Sequence, residues 1–253
     1  MPEPALKTIG RGLRLLDHFA EQPGEHTLST LSRELGLSKA VLQRLLTALH
    51  AHGYVVQDPI TRRYRLGASA LRLGTLRPRL EDLRPLALEA MKRLAERTGL
   101  SCFLTAPFDD EAVCVGKVEP NVLIRVSYNV GRRHPYHAGA PGKALLAFLP
   151  AARRETLLST ELERYTDHTI ISRESLLAEL ARIRDAGFAI SHEELAVGVS
   201  GAAAVVLDPL GEPLASVSLA GPTRDVDDAQ LRARGRELVD VATQLSARLG
   251  RAT

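Results

Sequence analysis

Several short stretches of the chain carry groups that take part in catalysis in other proteins, but each motif is incomplete. Gly139–Ala144 approximates a phosphate loop, yet the first glycine of that motif falls on His137 and its hydroxyl residue on an alanine. His134 lies three residues from His137, with no cysteine or carboxylate nearby in sequence to complete a metal site. Ser191–Glu194 offers acid–base groups without a nucleophile elbow. We therefore expect no catalytic residue, no metal and no cofactor.

Other candidate groups in the second half of the chain have structural interpretations. Cys102 and Cys114 fall on neighbouring predicted strands and are too few for a disulfide framework, so we expect core residues. The carboxylate pair at 193–194 is typical of a solvated turn. Two stretches rich in glycine and alanine, 137–142 and 199–204, leave two interpretations open. They can line a ligand pocket with backbone N–H groups and small side chains, or let a helix pack closely on a sheet.

A predicted helix near the N-terminus carries groups suited to reading DNA. Ser38 is a good N-cap for this helix, and apolar residues from Val41 to Leu49 recur at helical spacing. The opposite face holds side chains that can reach base edges or phosphates in a major groove: Lys39, Gln43, Arg44 and Thr47. Together with Ser38 they form the DNA-binding set predicted for this helix.

Neighbouring elements must position that helix. A short helix over 28–35 precedes it, and Gly36 supplies the left-handed turn of a helix-turn-helix. Residues 54–66 then predict a hairpin, or wing, whose basic side chains can meet phosphates or a minor groove: Arg62, Arg63 and Arg65. The alternative is a small helical bundle with a solvated polar face. Residues 1–78 hold eleven basic and six acidic residues, against 22 and 24 in the remainder, which favours contact with a polyanion.

Periodicity in the remaining chain predicts an α+β domain with a mostly antiparallel sheet flanked by helices. Strands are predicted at 101–106, 112–118, 123–127, 188–191, 202–207 and 213–219. Helices are predicted at 83–95, 144–149, 176–183 and 231–249. An N-terminal helix is predicted to bury the stripe Leu6, Ile9, Leu13, Leu16 and Phe19. A connecting helix that Pro78 stops is either a stiff connector or a passive tether.

Composition excludes several classes of protein. The chain has 253 residues, 45% apolar and 25% charged, the usual mix of a soluble globular protein. No apolar run approaches the ~18–20 residues that a membrane span needs, and no secretory signal is visible. We expect a cytoplasmic protein. Aromatic residues make up only 4%, which argues against a stacking surface for single-stranded nucleic acid.

Three ordered blocks resemble the IclR family of bacterial transcription regulators. They are TLSTLSRELGLSKAVLQRLLTALHAHGYV at 27–55, GRRHPYHAGAPGKALLAFLP at 131–150 and GFAISHEELAVGVSGAAAVV at 187–206. The resemblance implies a winged helix-turn-helix domain over 1–67, a linker helix over 68–79 and a GAF-like effector domain over 80–253. It also implies a homodimer or homotetramer that binds an operator in double-stranded DNA and responds to a small-molecule effector, as repressor or activator.

The resemblance also implies an effector pocket. One wall consists of Leu123, Val126, His134, Ala140 and Pro141, and the facing wall of Ser191, Val199, Gly201, Ser218 and Ala220. Members that bind small keto acids carry an acid, a cysteine and a second serine where this chain has Ser191, Gly201 and Ala220. We therefore expect a bulkier or more apolar organic acid or aromatic metabolite, with His134 and Arg125 as partners for an anion. A second domain that only oligomerises, or a small-acid enzyme, are the alternatives.

Overall fold

The computed structural model describes residues 4–74, 78–208 and 210–249. The chain divides into two compact units, Met1–Pro78 and Arg79–Thr253. Within the described ranges, no helix combines the length and the apolar character needed to cross a membrane. Residues 75–77 of the predicted linker helix and the side chain of Leu6 lie outside the described part of the chain.

Both units contain helices and strands. The helices are α1 Pro4–Glu21, α2 Leu28–Leu35, α3 Lys39–Ala51, α4 Ala68–Gly74, α5 Pro78–Thr98, α6 Ala140–Phe148, α7 Ala151–Leu157, α8 Arg173–Ala186 and α9 Asp228–Leu249. The strands are β1 Val55–Gln57, β2 Tyr64–Leu66, β3 Ser101–Pro107, β4 Ala112–Val118, β5 Arg133–His134, β6 Phe188–His192, β7 Val199–Leu207 and β8 Pro213–Pro222. Pro78 begins α5 instead of ending the preceding helix, because proline is well tolerated in a first helical turn.

The first unit is a winged helix-turn-helix, as the sequence predicts. Gly36 ends α2 with a φ of 64°, and the Ser38 hydroxyl accepts the N–H of Val41 to begin α3. Strands β1 and β2 pair as an antiparallel hairpin, and the backbone of His26 pairs with Tyr64 beside it. The shared core consists of Leu15, Phe19, Leu31, Leu42, Leu45, Leu46, Val55 and Tyr64.

The predicted core stripe of α1 is only partly right. Phe19 is buried, but Ile9 and Leu13 are 60% and 56% exposed, and the fully buried residue is Leu15. The buried residues of α1 all lie in its second half, which contacts α3 and β2. The spacing identified a helix correctly but could not show which part of it would reach the core.

The second unit is a three-layer α+β domain. Its six strands form an antiparallel sheet in the order β5-β4-β3-β8-β7-β6. Alternate residues of β7 face opposite layers, so Ala202 and Ala204 join the core with α5 and α9, whereas Ala203 and Val205 join the core with α6 and α8. Helices therefore cover both faces of the sheet.

The strand predicted at 123–127 is wrong. Residues 121–130 contain no strand, and the sheet edge is instead β5, which pairs with β4 through His134 and Ala112. Side-chain bonds organise this segment: the Glu119 carboxylate accepts from Lys117, Arg125 and Ser127. Helix α6 also begins earlier than the predicted residue 144, because Pro141 fits its first turn.

Candidate functional site

The polar face of α3 is exposed on the first unit. Leu42, Leu45 and Leu46 anchor the helix in the core. On its solvent side lie the predicted side chains Lys39, Gln43, Arg44 and Thr47, all exposed. The Ser38 side chain caps the helix, so its hydroxyl holds the N-terminus of α3 in place. This surface presents two cations, an amide and a hydroxyl.

The wing places its arginines at the surface beside that helix. Arg62, Arg63 and Arg65 are all exposed. The Asp58 carboxylate accepts the N–H groups of Thr61 and Ile60, at 2.7 and 2.9 Å, and these bonds lower the pKa of Asp58. The Asp58 side chain therefore fixes the turn of the hairpin, and with it the backbone that carries the three arginines.

A cavity of about 450 Å³ lies in the second unit, bounded by β7, β8, the start of α6 and the 124–132 loop. Nine residues of the predicted effector pocket line it: Val126, His134, Ala140, Pro141, Ser191, Val199, Gly201, Ser218 and Ala220. Leu123 does not, and is 96% exposed, because its segment is a loop and not the predicted strand. Its neighbour Ile124 lines the cavity in its place.

Gly201 contributes to the cavity because it has no side chain. Gly201 lies so close to β8 that a Cβ there would stand 2.5 Å from the Leu219 carbonyl oxygen. The glycine therefore permits close strand packing, and the same missing side chain leaves room in the cavity. The ligand-pocket interpretation of the 199–204 stretch therefore applies to Gly201, whereas its close contact is with a neighbouring strand and not with a helix.

His134 is the most unusual polar group in the cavity wall. It is 2% exposed, and neither ring nitrogen hydrogen-bonds to any described atom. Burial, with the charge of Arg132, lowers the pKa of His134 to about 4. Tyr128 packs edge-on against its ring at 4.7 Å and stacks on Phe103 at 3.7 Å. His134 is consequently a neutral donor and acceptor without a partner at neutral pH.

Two arginines line the cavity, the predicted Arg125 and also Arg132. The Arg125 Nε donates to Glu119 at 2.9 Å, and bonds from Lys117, Ser127 and Arg125 lower the pKa of Glu119 to about 2. Arg132 also lines the cavity, and no described carboxylate is within ion-pair distance of it. Its guanidinium carbon lies 5.7 Å from the centre of the Tyr128 ring. The sequence did not indicate Arg132, because its loop has no periodic apolar pattern that would place a side chain on one face.

A buried ion pair lies next to Gly139 of the cavity lining. Lys143 is 1% exposed, and its Nζ lies 2.5 Å from Glu194, 2.8 Å from the Ile190 carbonyl oxygen and 3.3 Å from Glu179. Glu194 also accepts the Gly139 N–H at 3.1 Å, and burial raises the pKa of this carboxyl against the pull of Lys143. The solvated turn predicted for this carboxylate is wrong, since long-range packing encloses it.

The remaining candidate groups do not form a second site. His137 donates to the Glu163 carbonyl oxygen at 2.9 Å, on a different contact from His134. Cys102 and Cys114 are buried as predicted, and burial raises the pKa of both thiols. Neither His137 nor the two cysteines line the cavity.

Comparison with known proteins agrees with this geometry in both units. Residues 8–59 match the IclR helix-turn-helix domain, and residues 79–247 match the bacterial transcriptional regulator IclR C-terminal domain. The chain belongs to the IclR family. It is 35% identical to the HTH-type transcriptional regulator XynR of Escherichia coli, over 98% of both chains.

Other members of the IclR family show the same full-length likeness. The regulator BhcR of Paracoccus denitrificans is 32% identical over 95% of this chain and 86% of its own. The crystal structure of an IclR regulator from Alicyclobacillus acidocaldarius matches with a TM-score of 0.80 at 26% identity, over 96% and 98% of the two chains. The protein is a transcription regulator with a DNA-binding helix-turn-helix, and the family is not enzymatic.

Proposed function

We propose that this regulator responds to a small organic anion that binds in the cavity and changes its affinity for an operator. The observation that carries the proposal is His134, a neutral, buried imidazole on the cavity wall with both ring nitrogens unpaired. A buried polar group without a partner costs stability, so its presence is accounted for by a ligand that pairs with it. The alternative is a second unit that only oligomerises and binds no ligand.

The lining of the cavity defines the class of ligand. Its volume of about 450 Å³ falls within the usual range of small-molecule sites. Arg132 supplies a positive charge, and His134 and Ser191 supply hydrogen bonds, so a carboxylate fits this end of the space. The rest of the lining is apolar or small, including Val126, Val199 and Ala220. A carboxylate with an apolar or aromatic body satisfies both parts.

The DNA contacts follow from the first unit. Lys39, Gln43, Arg44 and Thr47 on α3 contact base edges and phosphates in the major groove. Arg62, Arg63 and Arg65 on the wing contact phosphates or the adjacent minor groove. Two or four copies of the chain bind a palindromic operator, each copy presenting one α3. The exposure of all seven side chains supports this assignment.

A ligand screen tests the proposal directly. The purified chain is melted with a panel of aliphatic and aromatic carboxylates, and a ligand at ~100 times its Kd stabilises the folded state by roughly 2.7 kcal/mol. His134→Phe and Arg132→Gln remove the stabilisation, whereas Arg184→Gln, an exposed arginine outside the cavity, retains it. A hit is then added to an operator-binding assay. Stabilisation that survives His134→Phe and Arg132→Gln alike contradicts the site, and a panel without a hit favours the oligomerisation alternative.

A further inference from the structure

The first unit brings three metal-ligand side chains together at a place unrelated to the cavity. His18 lies on α1, His26 on the segment between α1 and α2, and Glu34 on α2. One donor atom from each of the three lies within 4.8 Å of the donor atoms of the other two. Two imidazoles with one carboxylate are a ligand set that zinc commonly takes, with water in the fourth position.

The contact between His18 and Glu34 is not an ordinary hydrogen bond. His18 is only 8% exposed, and its Nε2 lies 3.1 Å from Oε2 of Glu34. Even so, Nε2 hydrogen-bonds to no described atom, so the oxygen lies off the direction in which a ring N–H points. Two ligands of one tetrahedral zinc ion are separated by about 3.3 Å and are not aligned for hydrogen bonding to each other. The observed pair has that separation and that misalignment.

Hydrogen bonds of the backbone and of the ring hold His26 in place. Its backbone N–H and carbonyl both pair with Tyr64, at 2.9 and 2.8 Å, which fixes the position of the residue. The ring Nε2 lies 2.8 Å from the Gln22 carbonyl oxygen. Because a carbonyl only accepts, Nε2 carries the proton and Nδ1 keeps its lone pair. Metal-binding histidines usually donate their other ring N–H to a group of this kind.

We propose that His18, His26 and Glu34 bind one divalent transition-metal ion of the zinc class. Arg33 approaches only the other carboxylate oxygen of Glu34, Oε1, at 3.7 Å, so Oε2 remains for the ion. Glu34 is on the exposed side of the cluster. The bound ion ties α1 to α2 and, through the His26–Tyr64 pairing, to β2 of the wing. This site revises the expectation of no metal, which considered only histidines close in sequence.

The first test measures metal binding by the full chain without a histidine tag. After treatment with EDTA and dialysis, the protein is titrated with Zn²⁺ and, as a spectroscopic reporter, with Co²⁺. We expect one ion per chain, a cobalt absorption spectrum of a four-coordinate site and a higher melting temperature at micromolar Zn²⁺. Binding that needs millimolar metal, or that leaves the melting temperature unchanged, overturns the proposal.

Matched variants assign the ion to these residues. His26→Gln and Glu34→Gln each lower the affinity for Zn²⁺ by at least ten-fold and abolish the cobalt spectrum, since each removes a direct ligand. His168→Gln, an exposed histidine of the second unit, leaves both unchanged. If His26→Gln fails to fold, Glu34→Gln still tests the site, because Glu34 is outside the core and its substitution is expected to leave the fold intact. Wild-type affinity in Glu34→Gln, or an equal loss in His168→Gln, overturns the proposal.

Discussion

At the scale of a single residue, the burial of His134 in the cavity wall makes the stability of the folded chain depend on pH. Burial and Arg132 lower its pKa to about 4 in the folded chain, from 6.5 for an ordinary histidine. Between these values the unfolded chain binds a proton that the folded chain does not, so stability falls as the pH falls. A shift of this size predicts a loss of about 2 kcal/mol in the free energy of unfolding between pH 7 and pH 5. Urea unfolding at the two pH values measures it.

The His134 prediction depends on a comparison, because other groups also titrate in this range. His134→Phe keeps a ring against Tyr128 but removes the titrating nitrogens, so this variant loses about 2 kcal/mol less than the wild type between the two pH values. His168→Phe changes an exposed histidine and keeps the wild-type dependence. If the wild type and His134→Phe show the same pH dependence, the neutral buried state of His134 is wrong.

At the scale of elements, the turn between α2 and α3 depends on one glycine. Gly36 has a φ of 64°, and no atom lies within 4 Å of a Cβ built on it, so only the backbone conformation opposes a side chain. Gly36→Ala is expected to cost about 1 kcal/mol of stability in chemical unfolding, and Gly36→Asn less. Gly10→Ala, in the open middle of α1, is the matched control and raises stability. A neutral Gly36→Ala contradicts the turn geometry.

Helix α3 and the wing differ in what they contribute to DNA binding. On the proposed assignment Arg63 contacts a phosphate, so Arg63→Ala is expected to weaken binding to all sequences and to reduce the salt dependence of log K by about one unit. Arg44 is proposed to read a base, so Arg44→Ala is expected also to lower discrimination between the operator and competitor DNA, by about 1–3 kcal/mol. Arg184→Ala, in the second unit, controls for the loss of charge. Equal salt slopes for wild type and Arg63→Ala contradict the wing assignment.

Elements set by local chemistry were predictable from the sequence, and those set by long-range contacts were not. The cap of Ser38 and the turn at Gly36 follow from their own residue types, and the structure has both. The false strand at 123–127 has the right apolar pattern, but bonds to Glu119 replace ladder bonds. Glu194 looked solvated because its partner Lys143 is 51 residues away. The cluster of His18, His26 and Glu34 was missed for a different reason: its members are close in sequence but lie on α1, on α2 and on the segment between them, and only the packing of these elements brings them together.

At the scale of the whole molecule, the DNA-binding helix-turn-helix and the proposed ligand cavity lie in different compact units. The DNA-binding helix belongs to residues 1–78 and the cavity to residues 79–253. If a carboxylate in the cavity changes operator affinity by some factor, the operator must change carboxylate affinity by the same factor. The coupling is therefore measurable from either side, and typical couplings are about 5- to 150-fold.

The reciprocity distinguishes regulation from incidental binding. For a carboxylate found in the screen, we expect the ratio of operator Kd values with and without ligand to equal the ratio of ligand Kd values with and without operator DNA. Because His134→Phe loses ligand binding, adding the carboxylate is expected to leave the operator Kd of this variant unchanged. The operator affinity of the ligand-free variant is expected to match the wild type, because His134 belongs to the second unit. A carboxylate that binds tightly while both ratios stay at one occupies the cavity without regulating DNA binding. The reason is that a ligand shifts an equilibrium between two states of a protein only if it binds one state more tightly than the other.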